Sequence, residues 1–187
     1  MDYLIAGLGN PGQKYFYNRH NIGFLSIDTL GDHFNTSIDE KYKKSYIGKC
    51  SFNDKKILLM KPQTYMNLSG EMIRKAMATY KIPIQNIIII HDDVDLPLNK
   101  IRIKKNGSAG GHKGVQSVIE CLQNDNFIRI RLGINSDLKQ NVSLEDFVLS
   151  DFSGAEIKIV KKVLKKIPAL IETILSKTID KAMNEFN

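Results

Sequence analysis

Four consecutive isoleucines at positions 87–90 are the feature that most constrains the fold of this chain. The run is short, β-branched and apolar at every position, and His91 and Asp92 follow it directly. A strand exposed on one face alternates apolar with polar residues, whereas a strand covered on both faces does not. The run therefore predicts a central strand with helices on either side, which favours an α/β architecture.

Segments with strand and helix patterns alternate around this run. We expect strands at 2–8, 44–52, 56–61, 86–91, 100–105 and 127–134, and helices at 22–34, 69–81, from the glycine-rich loop to 122, after Ser153, and from Pro168 towards Met183. Strands 44–52 and 56–61 form a hairpin, so the sheet is mixed rather than purely parallel. Neither a repeat nor a linker is present. The sequence predicts one domain over residues 1–187, with a mixed, twisted β-sheet sandwiched between α-helices in three layers.

The charge and the cysteines limit the classes of partner and compartment. The formal net charge is +7 over 187 residues, which favours an anionic partner, with nucleic acid ahead of membrane, although a simple solubility effect is the alternative. No apolar run is long enough to cross a bilayer and no signal peptide is evident. The two cysteines are far apart and form neither a disulfide framework nor a zinc motif. We expect a cytoplasmic protein.

A polar loop after the first strand gathers glycines, Asn10 and His20. Histidine is the side chain whose ordinary pKa lies near neutrality, so His20 can accept a proton from water. The glycines also fit the G-x-G-x-x-G pattern of dinucleotide-binding proteins. That interpretation requires a helix at the last glycine and an acidic residue at the end of the second strand. The sequence offers neither, so nucleotide binding is disfavoured. Taken alone, His20 is either a structural histidine or a general base.

Three carboxylates, Asp92, Asp93 and Asp95, follow the central strand. Ligands of open α/β sheets bind at this edge, and a carboxylate there could fix the tautomer of His20 and stabilise its charged form. A divalent-metal site made by the three aspartates and a plain acidic turn are the alternatives.

Two further loops and one surface are candidates for ligand contact. Asn67 either caps the following helix or binds a peptide group through its amide. The glycines at 107–114 either let the backbone approach a ligand or form a mobile surface loop. Alternation places five basic residues on one face of two strands, which would form a phosphate-binding surface if the strands are neighbours. These residues are Lys100, Arg102, Lys104, Arg129 and Arg131.

Four ordered motifs, GLGNPGxxYxxxRHNxGF, KPxTYMNxSG, HDDxDLP and GSAGGHxG, resemble those of bacterial peptidyl-tRNA hydrolases. With two later segments they cover most of residues 3–152. The resemblance implies a monomeric enzyme that needs no metal or cofactor. It also implies hydrolysis of the ester between a peptide and the 3′ end of tRNA, and contact with the acceptor stem.

The resemblance also implies roles for individual residues. His20 is the expected general base and Asp92 the carboxylate that orients it. Residues expected to hold or surround the substrate are Asn10 and Asn67 as amides for the peptide, Tyr15 and Met66 as walls, His112 in the same cleft, and Lys104 and Arg131 as a clamp on the tRNA 5′-phosphate. Lys113 stands where the family has asparagine, and its ammonium group either stabilises charge or contacts the tRNA backbone.

Two other functions remain open from the sequence. A noncatalytic RNA-binding protein would use the basic surface but would not need the pair of His20 and Asp92. A metal-dependent hydrolase would use the three aspartates and would be sensitive to chelators.

Overall fold

The isoleucine run lies in the middle of a seven-stranded sheet in the computed structural model, which describes residues 1–136 and 142–187. The strands are β1 (Tyr3–Gly7), β2 (Glu40–Lys41), β3 (Ser45–Phe52), β4 (Lys55–Pro62), β5 (Ile87–Pro97), β6 (Ile101–Lys104) and β7 (Ile128–Asn135). Their order across the sheet is β2-β3-β4-β1-β5-β7-β6. The strands β4, β1, β5 and β7 are parallel, whereas β3 and β6 run antiparallel to their neighbours. The prediction of a mixed sheet is confirmed.

Helices cover both faces of the sheet. They are α1 (Ile22–His33), α2 (Ser69–Tyr80), α3 (Lys113–Leu122), α4 (Leu144–Leu149), α5 (Gly154–Leu164), α6 (Ile167–Ser176) and α7 (Ile179–Phe186). Ile88 and Ile90 pack into one core with α1, α5, α6 and α7, while Ile87 and Ile89 pack into a second core with α2 and α3. The three layers follow from this alternation, because successive side chains of a strand point to opposite faces.

Several elements differ from the sequence expectation. The strand β2 is additional, and the single helix expected from Pro168 towards Met183 is divided into α6 and α7. β5 continues to Pro97 instead of ending at His91, because its polar end pairs with β7 as far as Asp93 and again at Pro97 after a register shift. The helix α4 was not expected, since six residues are too few to show a helical period. Pro168 lies in the first turn of α6, where its missing N–H costs no hydrogen bond.

Close packing at the start of α1 holds the first loop against the sheet. A Cβ atom on Gly7 would lie 2.1 Å from the carbonyl oxygen of Gly23, and one on Gly23 would lie 2.4 Å from that of Leu8. Glycine is needed at both positions for the helix to approach the strand this closely. His20, which precedes α1, is thereby fixed at the edge where β1, β4, β5 and β7 end.

The described residues contain no helix that is both long and apolar enough to cross a membrane.

Candidate active site

A cleft of about 650 Å³ opens at the carboxyl edge of the parallel strands. The loop after β1 contributes Asn10 and His20, the loop after β4 contributes Met66 and Asn67, and β5 contributes Asp92. The glycine-rich loop, the start of α3, and side chains of β6, β7 and α4 form the remaining walls. Ligands of open α/β sheets bind at this edge, so the predicted location of the site agrees with the fold.

His20 and Asp92 form a buried pair in this cleft. Nδ1 of His20 lies 2.8 Å from Oδ1 of Asp92, and the side chain of His20 is 11% exposed. A carboxylate accepts, so Nδ1 carries the proton and donates it. Nε2 makes no hydrogen bond to the residues that the structure describes, and His20 lines the cleft. The open nitrogen can therefore accept a proton from a bound water molecule.

His112 donates a second hydrogen bond to the same oxygen of Asp92. Its Nε2 lies 2.9 Å from Oδ1 of Asp92, and its Nδ1 accepts from the backbone N–H groups of Gly114 at 3.1 Å and Val115 at 3.2 Å. These two donors fix the tautomer, because an Nδ1 that accepts leaves the proton on Nε2. His112 thus caps α3 and braces Asp92 at once.

Asp92 is ionised in this arrangement. Burial alone would raise the pKa of its carboxyl group, but the imidazoles of His20 and His112 hold the pKa well below its ordinary value. A carboxylate that stays charged can stabilise an imidazolium on His20 when that ring takes a proton.

His91 is a third histidine in the cleft, and its sequence position alone predicts no role. Its Nδ1–H donates to the backbone oxygen of Asp92 at 2.7 Å, and its ring lies edge-on to His112 at 4.7 Å. Burial lowers the pKa of His91 to about 3, so the ring is neutral. His91 therefore supports the wall behind His112 rather than a proton transfer.

The amide of Asn10 is oriented by its neighbours. The backbone N–H of Met66 donates to its Oδ1 at 2.9 Å, which identifies the oxygen end of the amide. The side chain of Asn21 makes two hydrogen bonds to the backbone of Asn10. Its Nδ2 donates to the carbonyl oxygen of Asn10 at 3.0 Å, and its Oδ1 accepts from the N–H of Asn10 at 2.8 Å. Nδ2 of Asn10 donates to none of the described residues, so it is the end available to a ligand. Nothing in the sequence around Asn21 indicates this role.

Met66 and Asn67 line the cleft as predicted, but Tyr15 does not line it. Asn67 is exposed on a 3₁₀ turn, and the residue that caps α2 is Leu68 without a side-chain hydrogen bond. The alternative that Asn67 caps this helix is therefore wrong. Tyr15 is half-buried beside Lys14, whose ammonium lies 4.7 Å from the centre of the ring.

The three aspartates after the isoleucine run do not act as one set of ligands. Asp92 points to the histidines, whereas Asp93 accepts from Nε of Arg131 and from the backbone N–H of Asp95. Consecutive residues of a strand point to opposite faces, which explains the division. Within residues 1–136 and 142–187, the group of three side chains whose ligand atoms converge is His20, Asp92 and His112. The metal site of three aspartates is thus not formed.

The two basic strands are neighbours, as the phosphate-binding interpretation requires. Arg102 pairs with Arg131 and Lys104 pairs with Arg129 across β6 and β7. Lys104 and Arg131 both line the cleft. Two of the predicted phosphate contacts are therefore on one surface beside the pair of His20 and Asp92.

Arg129 does not belong to the exposed basic surface, so this part of the prediction is wrong. It is 2% exposed, and its guanidinium donates to the carbonyl oxygens of Ser108 at 2.7 Å and of Gly107. The ring of Phe127 lies 4.7 Å from it. Arg129 therefore fastens the glycine-rich loop to β7, which also argues against a freely mobile loop.

Lys113 lines the cleft and is largely exposed. Its ammonium group is 3.8 Å from the carboxylate of Glu145 on α4, and its side chain is 69% exposed. Such an exposed pair is weak and easily exchanged for another anion. Its position favours contact with an incoming charged ligand over a part in the chemical step.

Arg19 connects the loop that carries His20 to the segment around α4. Its side chain is fully buried between the rings of Phe147 and Phe152, and it donates to Ser150 at 3.1 Å and Glu156 at 2.9 Å. The sequence gives no sign of this contact, because the partners lie about 130 positions later in the chain. Arg19 thereby holds the wall of the cleft beside His20.

A histidine–carboxylate pair in a cleft at the edge of a three-layer α/β sheet, flanked by amides and by paired basic strands, is typical of hydrolases that activate water with a histidine. The chain belongs to the peptidyl-tRNA hydrolase family, whose model matches residues 4–187. This match confirms the resemblance that the four motifs carry.

Relatives and solved structures agree with the assignment. The peptidyl-tRNA hydrolase of Bacillus cytotoxicus is 45% identical over 184 residues, covering 98% of each chain. That of Carboxydothermus hydrogenoformans is 43% identical over 185 residues, covering 99% of this chain and 98% of the relative. The crystal structure of the Acinetobacter baumannii enzyme has a TM-score of 0.89 at 30% identity, covering 98% of this chain and 93% of that one.

Proposed function

We propose that this protein hydrolyses the ester that joins a peptide to the 3′ end of tRNA, with His20 as the general base. The observation that carries the proposal is the contact of 2.8 Å between Nδ1 of His20 and Asp92, which leaves Nε2 open to the cleft. The products are a free peptide and a tRNA that can be used again.

The chemistry follows from the state of the two side chains. Nε2 of His20 takes a proton from water as the oxygen attacks the ester carbonyl, and the ionised Asp92 stabilises the imidazolium that forms. When the tetrahedral intermediate collapses, the imidazolium returns the proton to the 3′ oxygen of the leaving tRNA. A positioned base of this kind supplies about 10²–10⁴-fold in rate.

Amide groups are the proposed contacts for the peptide. Nδ2 of Asn10 and the exposed amide of Asn67 both face the cleft and can bind a peptide group, while Met66 forms the wall between them. A free aminoacyl ester lacks the peptide group that these amides would bind, so it leaves them unpaired. The arrangement therefore favours N-blocked esters.

Charges beside the pair are the proposed contacts for tRNA. Lys104 and Arg131 would clamp the 5′-phosphate of the acceptor stem, and the exposed Lys113 would contact the backbone near the 3′ end. Arg131 is paired with Asp93, so a phosphate would compete with that carboxylate. We further propose that the protein acts as a cytoplasmic monomer.

The experiment is peptide release from N-acetyl-aminoacyl-tRNA and from free aminoacyl-tRNA, with and without EDTA. Release from the blocked substrate alone, at the same rate with EDTA, supports the proposal. Binding of the tRNA without release would favour a noncatalytic RNA-binding protein. Release that EDTA abolishes and a divalent ion restores would favour a metal-dependent hydrolase.

A further inference from the structure

A second cavity of about 300 Å³ lies beside the active-site cleft. The loop after β1, the helix α1 and the ends of β3 and β4 surround it. Asn10 lines both cavities, and Asn21, which clasps the backbone of Asn10, lines the second one. The two cavities thus share the wall that carries Asn10, whose amide is a proposed contact for the peptide.

The strand order indicates which part of the substrate would reach the second cavity. The basic residues lie on β6 and β7, the pair of His20 and Asp92 lies where β1 and β5 end, and the second cavity lies at β3 and β4. A substrate whose phosphate meets the basic strands and whose ester meets His20 directs its peptide towards β4 and β3. Strands are about 4.8 Å apart, so the second cavity is roughly 10–12 Å beyond the ester. An extended residue spans about 3.5 Å, which places the third residue there.

The lining of the second cavity suits a peptide of variable sequence. The amides of Gln13 and Gln63 can bind backbone groups. The rings of Phe16, Phe24 and Tyr46 offer apolar surface to side chains, and Phe16 is 47% exposed. These groups are not selective for one side chain, as an enzyme acting on many peptides requires.

The charges of the second cavity argue against a phosphate as its occupant. Its two charged side chains, Lys61 and Asp28, form an ion pair with each other. The pair is neutral overall, so the cavity offers no unpaired cation of its own to the tRNA backbone. An uncharged chain of amides fits better.

We infer that the second cavity is a subsite for the distal part of the peptide, from about the third residue counted from the ester. The inference rests on the proposed function, because it takes the ester to lie at His20. It predicts that peptide length affects the Michaelis constant through residues that do not touch the reacting atoms.

The test compares two substrates, N-acetyl-aminoacyl-tRNA and a tRNA carrying an uncharged peptide of five residues. The first is too short to reach the second cavity. Phe16→Ala removes an exposed ring from this cavity. Tyr17→Ala is the matched control, since Tyr17 is 54% exposed, is not among the residues lining either cavity and has its ring 4.8 Å from that of Phe16.

We expect Phe16→Ala to raise KM for the long substrate about three- to tenfold, with kcat unchanged, because lost aromatic contacts are worth about that much. KM for the short substrate stays at the wild-type value, and Tyr17→Ala changes neither. Gln13→Ala, which removes an amide without altering a ring, should act in the same direction.

Equal KM values of Phe16→Ala and the wild type on the long substrate would overturn the inference, as would equal increases on both substrates. Cleavage of the short substrate by the wild-type enzyme tests the proposed function separately. If the wild-type enzyme cleaves the short substrate but Phe16→Ala shows no effect that depends on peptide length, the inferred subsite is wrong and the proposed function stands.

Discussion

His112 donates its Nε2–H to the oxygen of Asp92 at 2.9 Å, and this is the same oxygen that faces His20. The backbone at the start of α3 occupies the other nitrogen of His112. The start of the helix therefore determines which ring nitrogen of His112 carries the proton. His112 in turn helps to keep Asp92 ionised. In the proposed mechanism His112 is a positioning residue, since it acts on His20 through the carboxylate.

His112→Asn tests this positioning role. Asparagine is a good N-cap, so the substitution preserves the helix start while it removes the hydrogen bond to Asp92. A hydrogen bond to a charged group is worth about 1.5–3 kcal/mol, so we expect kcat to fall at least about tenfold with little change in KM. His33→Asn, at an exposed contact with Glu172, is the control in steady-state kinetics. An unchanged kcat would contradict the role.

Replacing Arg19 with methionine should destabilise the fold, because it leaves the carboxylate of Glu156 without its buried partner. Breaking one side of a buried ion pair costs about 3–5 kcal/mol. The double variant Arg19→Met with Glu156→Gln should lose less free energy of unfolding than the sum of the losses of the two single variants. Urea unfolding measures all three variants.

Lys49→Met is the control for Arg19→Met, because Lys49 and Glu40 form an exposed pair that should contribute less than about 1 kcal/mol. Strictly additive losses at Arg19 and Glu156 would show that the two side chains are not coupled.

Stability in acid should depend on Glu156. Burial alone would raise the pKa of this carboxyl group, but hydrogen bonds from Arg19 and Ser153 lower the pKa from 4.5 to about 2. Because the folded pKa lies below the unfolded one, the contribution is complete above about pH 4.5 and is lost as the pH falls towards 2. In Glu156→Gln, the free energy of unfolding should therefore fall less steeply in this range.

Urea unfolding at a series of acidic pH values measures the slope for Glu156→Gln and for Glu185→Gln, which removes an exposed carboxylate. Equal slopes for wild type and Glu156→Gln would show that Glu156 is not linked to folding.

Most strands could be predicted because they depend on local pattern. The choice of Asp92 as the partner of His20, 72 positions away, came instead from the resemblance to a known family. The isoleucine run specifies a strand covered on two faces, and its end specifies the edge at which a ligand binds. Arg129 was misplaced for a physical reason. Alternation gives the face of a strand but not whether a later loop covers that face, and the loop at 107–108 folds back over this guanidinium.

Contacts between distant segments could not be predicted in the same way. Arg19 meets Ser150 and Glu156 only after the chain has folded, and nothing near Arg19 signals those partners. The two contacts of His112, with Asp92 and with the backbone of α3, could not be predicted either. They require the first turn of α3 to lie beside the end of β5.

Lys104→Ala and Arg131→Ala should weaken tRNA binding and reduce its dependence on salt. Each phosphate contact that is lost lowers the slope of log K against log salt concentration by about 0.7–0.9. Lys105→Ala is the matched control, because it removes the same charge from a lysine that pairs with Asp180 and is not among the residues lining the cleft. Filter binding of uncharged tRNA at several salt concentrations gives the slopes. Slopes equal to that of Lys105→Ala would show that neither residue contacts a phosphate of the tRNA.

The most direct test of the account is the rate of peptide release from N-acetyl-aminoacyl-tRNA by the wild type and by His20→Ala, measured in single turnover with the affinity for tRNA determined in parallel. We predict a loss of at least about 10² in rate with tRNA affinity retained, because a general base contributes about 10²–10⁴-fold. Asp92→Asn should lose rate in the same direction, since it removes the charge that stabilises the imidazolium. A His20→Ala variant that releases peptide at the wild-type rate would contradict the assignment of His20 as the base.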